Sequence, residues 1–190
     1  MTAPDDGKTR CGWAAAGSVL YRDYHDYEWG RSVHSGVALF ERLSLEAFQS
    51  GLSWLIILRK REHFRRAFSG FEIEKVAGYT DADVARLLAD DGIVRNRAKI
   101  EATIANARAA AELGGAGELA KLLWSFAPPP RPRPADASEI PATTADSVAM
   151  ARELKRRGFR FVGPTTAYAL MQATGMVDDH LRACWVPPTT

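Results

Sequence analysis

The chain has 190 residues, 46% hydrophobic and 25% charged, with a formal net charge of +2 at pH 7. That length supports one domain, or two small ones, with a proper core, and the composition is ordinary for a soluble globular protein. No uncharged apolar run is long enough to span a membrane and the N-terminal MTAPDDGKTR lacks a signal-peptide core, so no membrane partner is expected and the cytoplasm is the default location.

Residues 1–10 read as a flexible lead, and Cys11-Gly12-Trp13 begins the ordered chain. Residues 18–30, SVLYRDYHDYEWG, place Tyr21, Tyr24, Tyr27 and Trp29 around His25. Such a stretch is either an amphipathic segment covering a core or a binding surface. Val37 to Gly51 is predicted helical. Leu39, Leu43 and Glu46 follow one helical spacing, and Leu45, Phe48 and Leu52 another. Glu46 therefore falls in line with leucines. A carboxylate there must be paired, hydrogen-bonded or protonated, unless it sits at a rim that reaches water or an arginine.

Gly51-Leu52-Ser53 makes a tight corner into a helix over Trp54 to Phe68, apolar at its start and basic at its end. Thr80 is a candidate N-cap for a short helix over Asp81 to Ala89, which Gly92-Ile93-Val94 breaks. Asn96 to Leu113, rich in alanine, and Glu118 to Phe126 are further predicted helices. The run at 128–144, PPPRPRPADASEIPATT, excludes regular structure. It is read as a long ordered crossover rather than a linker, because too few helices flank it to build two cores. Basic clusters at 59–66 and 152–160 are solvated faces or phosphate contacts.

Thr144 caps a predicted helix from Ser147 to Arg157, whose basic last turn ends at Gly158. Gly163-Pro164 then opens a second helix, with Pro164 in its first position. It buries Tyr168, Leu170 and Met171 and stops at Gly175. The tip between the two helices offers free backbone N–H groups, a ready anion site. No alternating strand and no internal repeat is found, so the chain is expected to be all-α.

The two cysteines lie near opposite ends of the sequence, at Cys11 and Cys184. In a cytosolic chain they are better read as metal ligands or plain thiols than as a disulfide. His180 and Cys184 are four apart, on one face of a predicted helical turn. With Cys11 and His25 they make a Cys2His2 set. If it converges, four protein ligands close a tetrahedron and leave no place for a catalytic water, so a zinc there is structural. The alternative is two buried thiols and two ordinary histidines. His34 and His63 are read as surface residues.

Several blocks, in order, resemble the 3-methyladenine DNA glycosylase I (TAG) family: CGW at Cys11, YHDYEWG at Tyr24, LEAFQSGLSW at Leu45, RKREHFRRAF at Arg59, KRRGFRFVG at Lys155 and the final Asp-His-x3-Cys. The resemblance spans Cys11 to Cys184. It implies a helix-hairpin-helix glycosylase fold in a single domain over 11–187, with a structural Zn2+ on Cys11, His25, His180 and Cys184 clasping the terminal segments. It implies a base pocket of Trp13, Tyr21, Tyr24, Glu46 and Trp54, with Trp29 nearby. The implied activity is hydrolytic excision of N3-methyladenine from double-stranded DNA. Such an enzyme must flip its base out of the stack, and an aromatic cage with a carboxylate suits a cationic base.

The hairpin residues Gly163, Thr165 and Thr166 are expected to hold a backbone phosphate, and Leu52 resembles the side chain that fills the gap left by the flipped nucleotide. Thr165 stands where bifunctional relatives carry a nucleophilic lysine, so no strand cleavage is expected. Asp178 falls at the position of an aspartate that supports the sugar's developing charge or activates water. Helix capping is its other reading. No oligomerisation signal is found, and a monomer is expected.

Overall fold

The computed structural model describes residues 6–15 and 18–188. Among these residues the regular elements are all helical: α1 (Gly12–Ala15), α2 (Val19–Tyr27), α3 (Gly36–Gln49), α4 (Trp54–Ala67), α5 (Ile73–Ala77), α6 (Asp81–Ala89), α7 (Arg97–Glu112), α8 (Ala116–Trp124), α9 (Ala145–Arg156) and α10 (Pro164–Ala173), with two short 3-10 turns at Ser69–Phe71 and Ala137–Glu139.

Helix α3 is the centre of the fold. Ser35 caps it by accepting from the Ala38 amide, and every residue from Leu39 to Phe48 is buried. A helix buried on all sides belongs to a core rather than a surface. It packs against α4, α7, α8 and α10. Its first residue is glycine because a Cβ at Gly36 would stand 1.9 Å from the Ala116 carbonyl oxygen, where α8 crosses. The burial of Glu46 follows from this placement rather than from any local signal.

The α9–α10 hairpin forms as its sequence predicts. Thr144 and Ser147 cap α9 reciprocally, and Gly158 takes a φ of +91°. Buried Asn106 of α7 clamps the connecting turn, donating to the Arg160 carbonyl (3.1 Å) and accepting from its amide (2.7 Å). Pro164 then starts α10.

The crossover at 128–144 is tied to the body of the fold. Arg131 pairs with Asp179 and Arg133 with Asp178, each at 2.8 Å, and the Arg182 amide donates to the Pro134 carbonyl. Residues 1–5 of the expected flexible lead lie outside the described residues. Residues 6–10 are fastened to the body. Arg10 spans Asp6 and Asp26, and the Trp185 amide donates to the Thr9 carbonyl at 2.9 Å.

Two local features differ from the sequence reading. Helix α5, missed between Phe68 and Thr80, is a five-residue element held by burial of Ile73 and Val76. Residues 180–184 form a turn, closed by the Cys184 amide on the Leu181 carbonyl, instead of a helical turn.

Candidate functional site

A cavity of about 340 Å³ opens beside the middle of α3. Trp13, Tyr21, Tyr24, Trp29, Glu46 and Trp54, the six residues expected to surround a base, all line it. Helix α2 supplies the tyrosines and α4 begins with Trp54. The rings meet edge-on or tilted: Trp13 lies 5.1 Å from Tyr21 and 5.2 Å from Trp29, and Tyr24 lies 5.3 Å from Trp54. Such contacts hold an aromatic wall rigid. The Trp54 indole nitrogen is buried without a hydrogen-bond partner among the described residues.

The sequence reading missed other parts of the lining. Gln49 is one turn beyond Glu46 on α3. Ala169 and Gln172 come from α10, and Ala137 and Ile140 from the crossover. The glutamines were findable: Gln49 shares the face of Glu46, and Gln172 is a polar residue within an apolar helix. The crossover residues carry no such signal, because an irregular segment has no face.

Glu46 is 6% exposed. Burial pushes its carboxyl up to about 8, with Arg42 one turn earlier partly opposing the rise. Among the described residues nothing hydrogen-bonds to it. Arg42 instead donates to Glu28 (2.9 Å), which Arg61 also holds through both oxygens. Burial likewise raises the phenols of Tyr21 and Tyr24, so both stay neutral donors. The site is thus a neutral aromatic box with one uncompensated acid, suited to a flat cation.

Beside the pocket, Cys11, His25, His180 and Cys184 converge. Their ligand atoms all lie within 4.8 Å of one another and all four residues are buried. Cys184 Sγ is 3.5 Å from His25 Nε2 and 3.6 Å from His180 Nδ1, and Cys11 Sγ is 3.7 Å from His180 Nδ1. A tetrahedral zinc with ordinary bond lengths separates its sulfur and nitrogen ligands by about 3.6 Å, so the donor set fits the ion. The remaining ring nitrogens are engaged as in metal sites. His25 Nδ1 bonds Asp26 (2.8 Å) and His180 Nε2 bonds the Trp29 carbonyl (3.1 Å). Asp26 is itself held by Arg10 and by the Trp185 indole. Gly30, at φ +76°, makes room for His180, since a Cβ there would lie 2.9 Å from its Nε2. The cluster can hold a metal. Trp29 lines the pocket and stacks edge-on against His180 at 4.7 Å, so the two sites share a wall.

Asp178 is outside the pocket lining. Its carboxylate accepts from Arg133 and, at 3.3 Å, from the His180 amide, and it faces a separate cavity beneath the crossover. Leu52 stands 37% exposed at the corner after α3. Gly163 and Thr165 are exposed and Thr166 is half-buried at the start of α10. Thr165 is one turn before Ala169, so the α10 N-terminus leads along one helix face into the pocket. His34 and His63 are exposed, as expected.

The methyladenine glycosylase family model matches residues 13–187. The chain is 44% identical to DNA-3-methyladenine glycosylase 1 of Escherichia coli, over 94% of this chain and 97% of that protein. It is 43% identical to a DNA-3-methyladenine glycosylase of Haemophilus influenzae, over 93% and 96%. Among solved structures, 3-methyladenine DNA glycosylase I from Staphylococcus aureus, whose structure concerns 3-methyladenine recognition, superposes with a TM-score of 0.89 at 35% identity, covering 95% of this chain and 97% of its own. The chain belongs to the methyladenine glycosylase family, and its all-helical architecture is that of these enzymes.

Proposed function

We propose that this protein excises N3-methyladenine from alkylated double-stranded DNA by hydrolysing the N-glycosidic bond, the first step of base excision repair. The single observation that carries this reading is the buried, unpaired Glu46 inside an aromatic pocket. N3-methylation makes the base cationic. A flipped cation gains both the ring faces and the carboxylate, whereas unmodified adenine gains only the rings. As the C1′–N9 bond breaks, its electron pair moves into the base, which leaves neutral, and water adds to C1′ with loss of a proton. The base is already a good leaving group, so binding and orientation by Glu46 and the cage supply most of the effect.

Leu52 fills the vacated stack. The amides at Gly163, Thr165 and Thr166 hold a phosphate without reading sequence. Thr165 offers no amine, so the enzyme is monofunctional. Engagement by Arg133 and the His180 amide favours a role for Asp178 in holding the His180 turn over a catalytic one. Cys11, His25, His180 and Cys184 would hold Zn2+, which supplies cross-linking rather than chemistry because all four positions are taken by protein. The protein acts as a monomer in the cytoplasm.

The test is chromatography of bases released from methylated duplex DNA by the wild-type protein and by Glu46→Ala. Release of 3-methyladenine by wild type, and at least a hundredfold less by the variant, is expected. No release by folded wild type would overturn the reading.

A further inference from the structure

Arg42 and Glu46 are a buried cation and a buried acid one turn apart on α3, and among the described residues no hydrogen bond or ion pair joins them. Residues four apart on a helix are neighbours and ordinarily pair when their charges oppose. Here Arg42 Nη2 reaches the other way, to Glu28 at 2.9 Å. Its Nη1 is buried with no hydrogen-bond partner among the described residues. The Glu46 carboxylate likewise lacks a hydrogen bond among the described residues. An acid and a guanidinium at this spacing that stay apart forgo a favourable contact, so something must hold them there.

Glu28 does so. It follows the last turn of α2 and takes Arg61 of α4 through both carboxylate oxygens, at 2.5 and 2.8 Å. It is thereby fixed between α3 and α4, and it fixes Arg42 in turn. The Arg42 guanidinium carbon lies 5.6 Å from the Tyr24 ring centroid, and Tyr24 lines the pocket with Glu46. The cation is therefore behind the pocket wall.

We infer that Glu28 is a positioning residue that keeps Arg42 off Glu46, so that the pocket acid remains free for the charged base. This rests on the functional reading above. Without Glu28, the Arg42 guanidinium turns to the carboxylate one helical turn away and occupies its hydrogen-bonding edge. The other groups lining the site near Glu46 are the neutral phenols of Tyr21 and Tyr24 from α2, the Trp54 indole from α4, and the amides of Gln49 and Gln172 from α3 and α10. None of these competes for Glu46 as a cation would.

The test uses Glu28→Gln, Arg42→Met and the double variant. Excision of 3-methyladenine from methylated duplex DNA is followed under single-turnover conditions, and the Glu46 carboxyl is titrated by carbon-13 NMR in the free protein. Glu28→Gln is expected to slow excision at least tenfold and to lower the Glu46 pKa by a unit or more. The double variant is expected to return excision to within about threefold of Arg42→Met alone, with the Glu46 pKa at or above its wild-type value. Rescue by removing a second residue is not what simple loss of packing produces. A double variant as slow as Glu28→Gln, or a Glu46 pKa unmoved by Glu28→Gln, would overturn the inference. Should wild type release no 3-methyladenine, the functional reading fails and the titration still decides the role of Glu28.

Discussion

Cys184 Sγ lies 3.5 Å from His25 Nε2, across 159 residues of chain. With Cys11 and His180 completing the group, the four donor atoms all lie within 4.8 Å of one another, a set that can hold a metal. Burial pushes the Cys11 thiol up to about 11 and the His180 imidazole down to about 4. A bound cation reverses the first tendency and uses the second, since its ligands are thiolate and neutral imidazole. One zinc per chain is therefore expected by elemental analysis. Cys184→Ala is expected to abolish zinc binding and to cost roughly 3 kcal/mol or more of stability, measured by denaturant unfolding.

Glu46 gives stability an unusual dependence on pH. Its folded-state pKa, about 8, lies above the ordinary carboxylate value of 4.5. Between those values the folded protein keeps a proton that the unfolded chain has lost, so this group's contribution to stability falls as pH rises through that window. Glu46→Gln removes the dependence. The variant is expected to be about 2–4 kcal/mol more stable than wild type at pH 8 and nearly unchanged below pH 4.5, while excising 3-methyladenine at least a hundredfold more slowly. Urea unfolding at both pH values, with an excision assay, checks this.

Thr165 bears on the reaction class. A hydroxyl at the start of α10 cannot form the imine through which bifunctional glycosylases cleave a strand. Borohydride added during turnover is expected to trap no protein–DNA adduct. A trapped species would place an amine at the sugar, and peptide mapping would identify it.

Lys99 holds the corner that carries Leu52. Its ammonium donates to the carbonyls of Phe48 (2.9 Å) and Ser50 (2.5 Å), closing the end of α3. Burial lowers its pKa. Lys99→Met leaves those carbonyls unsatisfied, at a cost of about 1–3 kcal/mol. Excision is expected to slow about tenfold through a higher KM for DNA, with the Glu46 pKa unchanged.

Much of this architecture was legible in the residues. Thr80, Asn96 and Thr144 mark helix starts where the structure has them, because caps are local chemistry. Glu46 announced itself by standing among leucines. What stayed hidden was set by distant contacts. Residues 69–77 hold positive φ values at Ser69 and Phe71, and α5 exists only because Ile73 and Val76 are buried. The turn at His180–Cys184 converges on His25 without helical geometry, which no spacing rule describes. The diversion of Arg42 to Glu28 depends on α2, α3 and α4 together. An i, i+4 rule applied to α3 alone predicts the opposite pairing.

The hydrogen bond from the Trp185 amide to the Thr9 carbonyl makes the two ends of the described chain next-door neighbours. The fold is therefore close to a closed ring in its path. Thr9 and Trp185 thus brace each other, so that loosening the segment before α1 would also loosen the segment that carries Cys184.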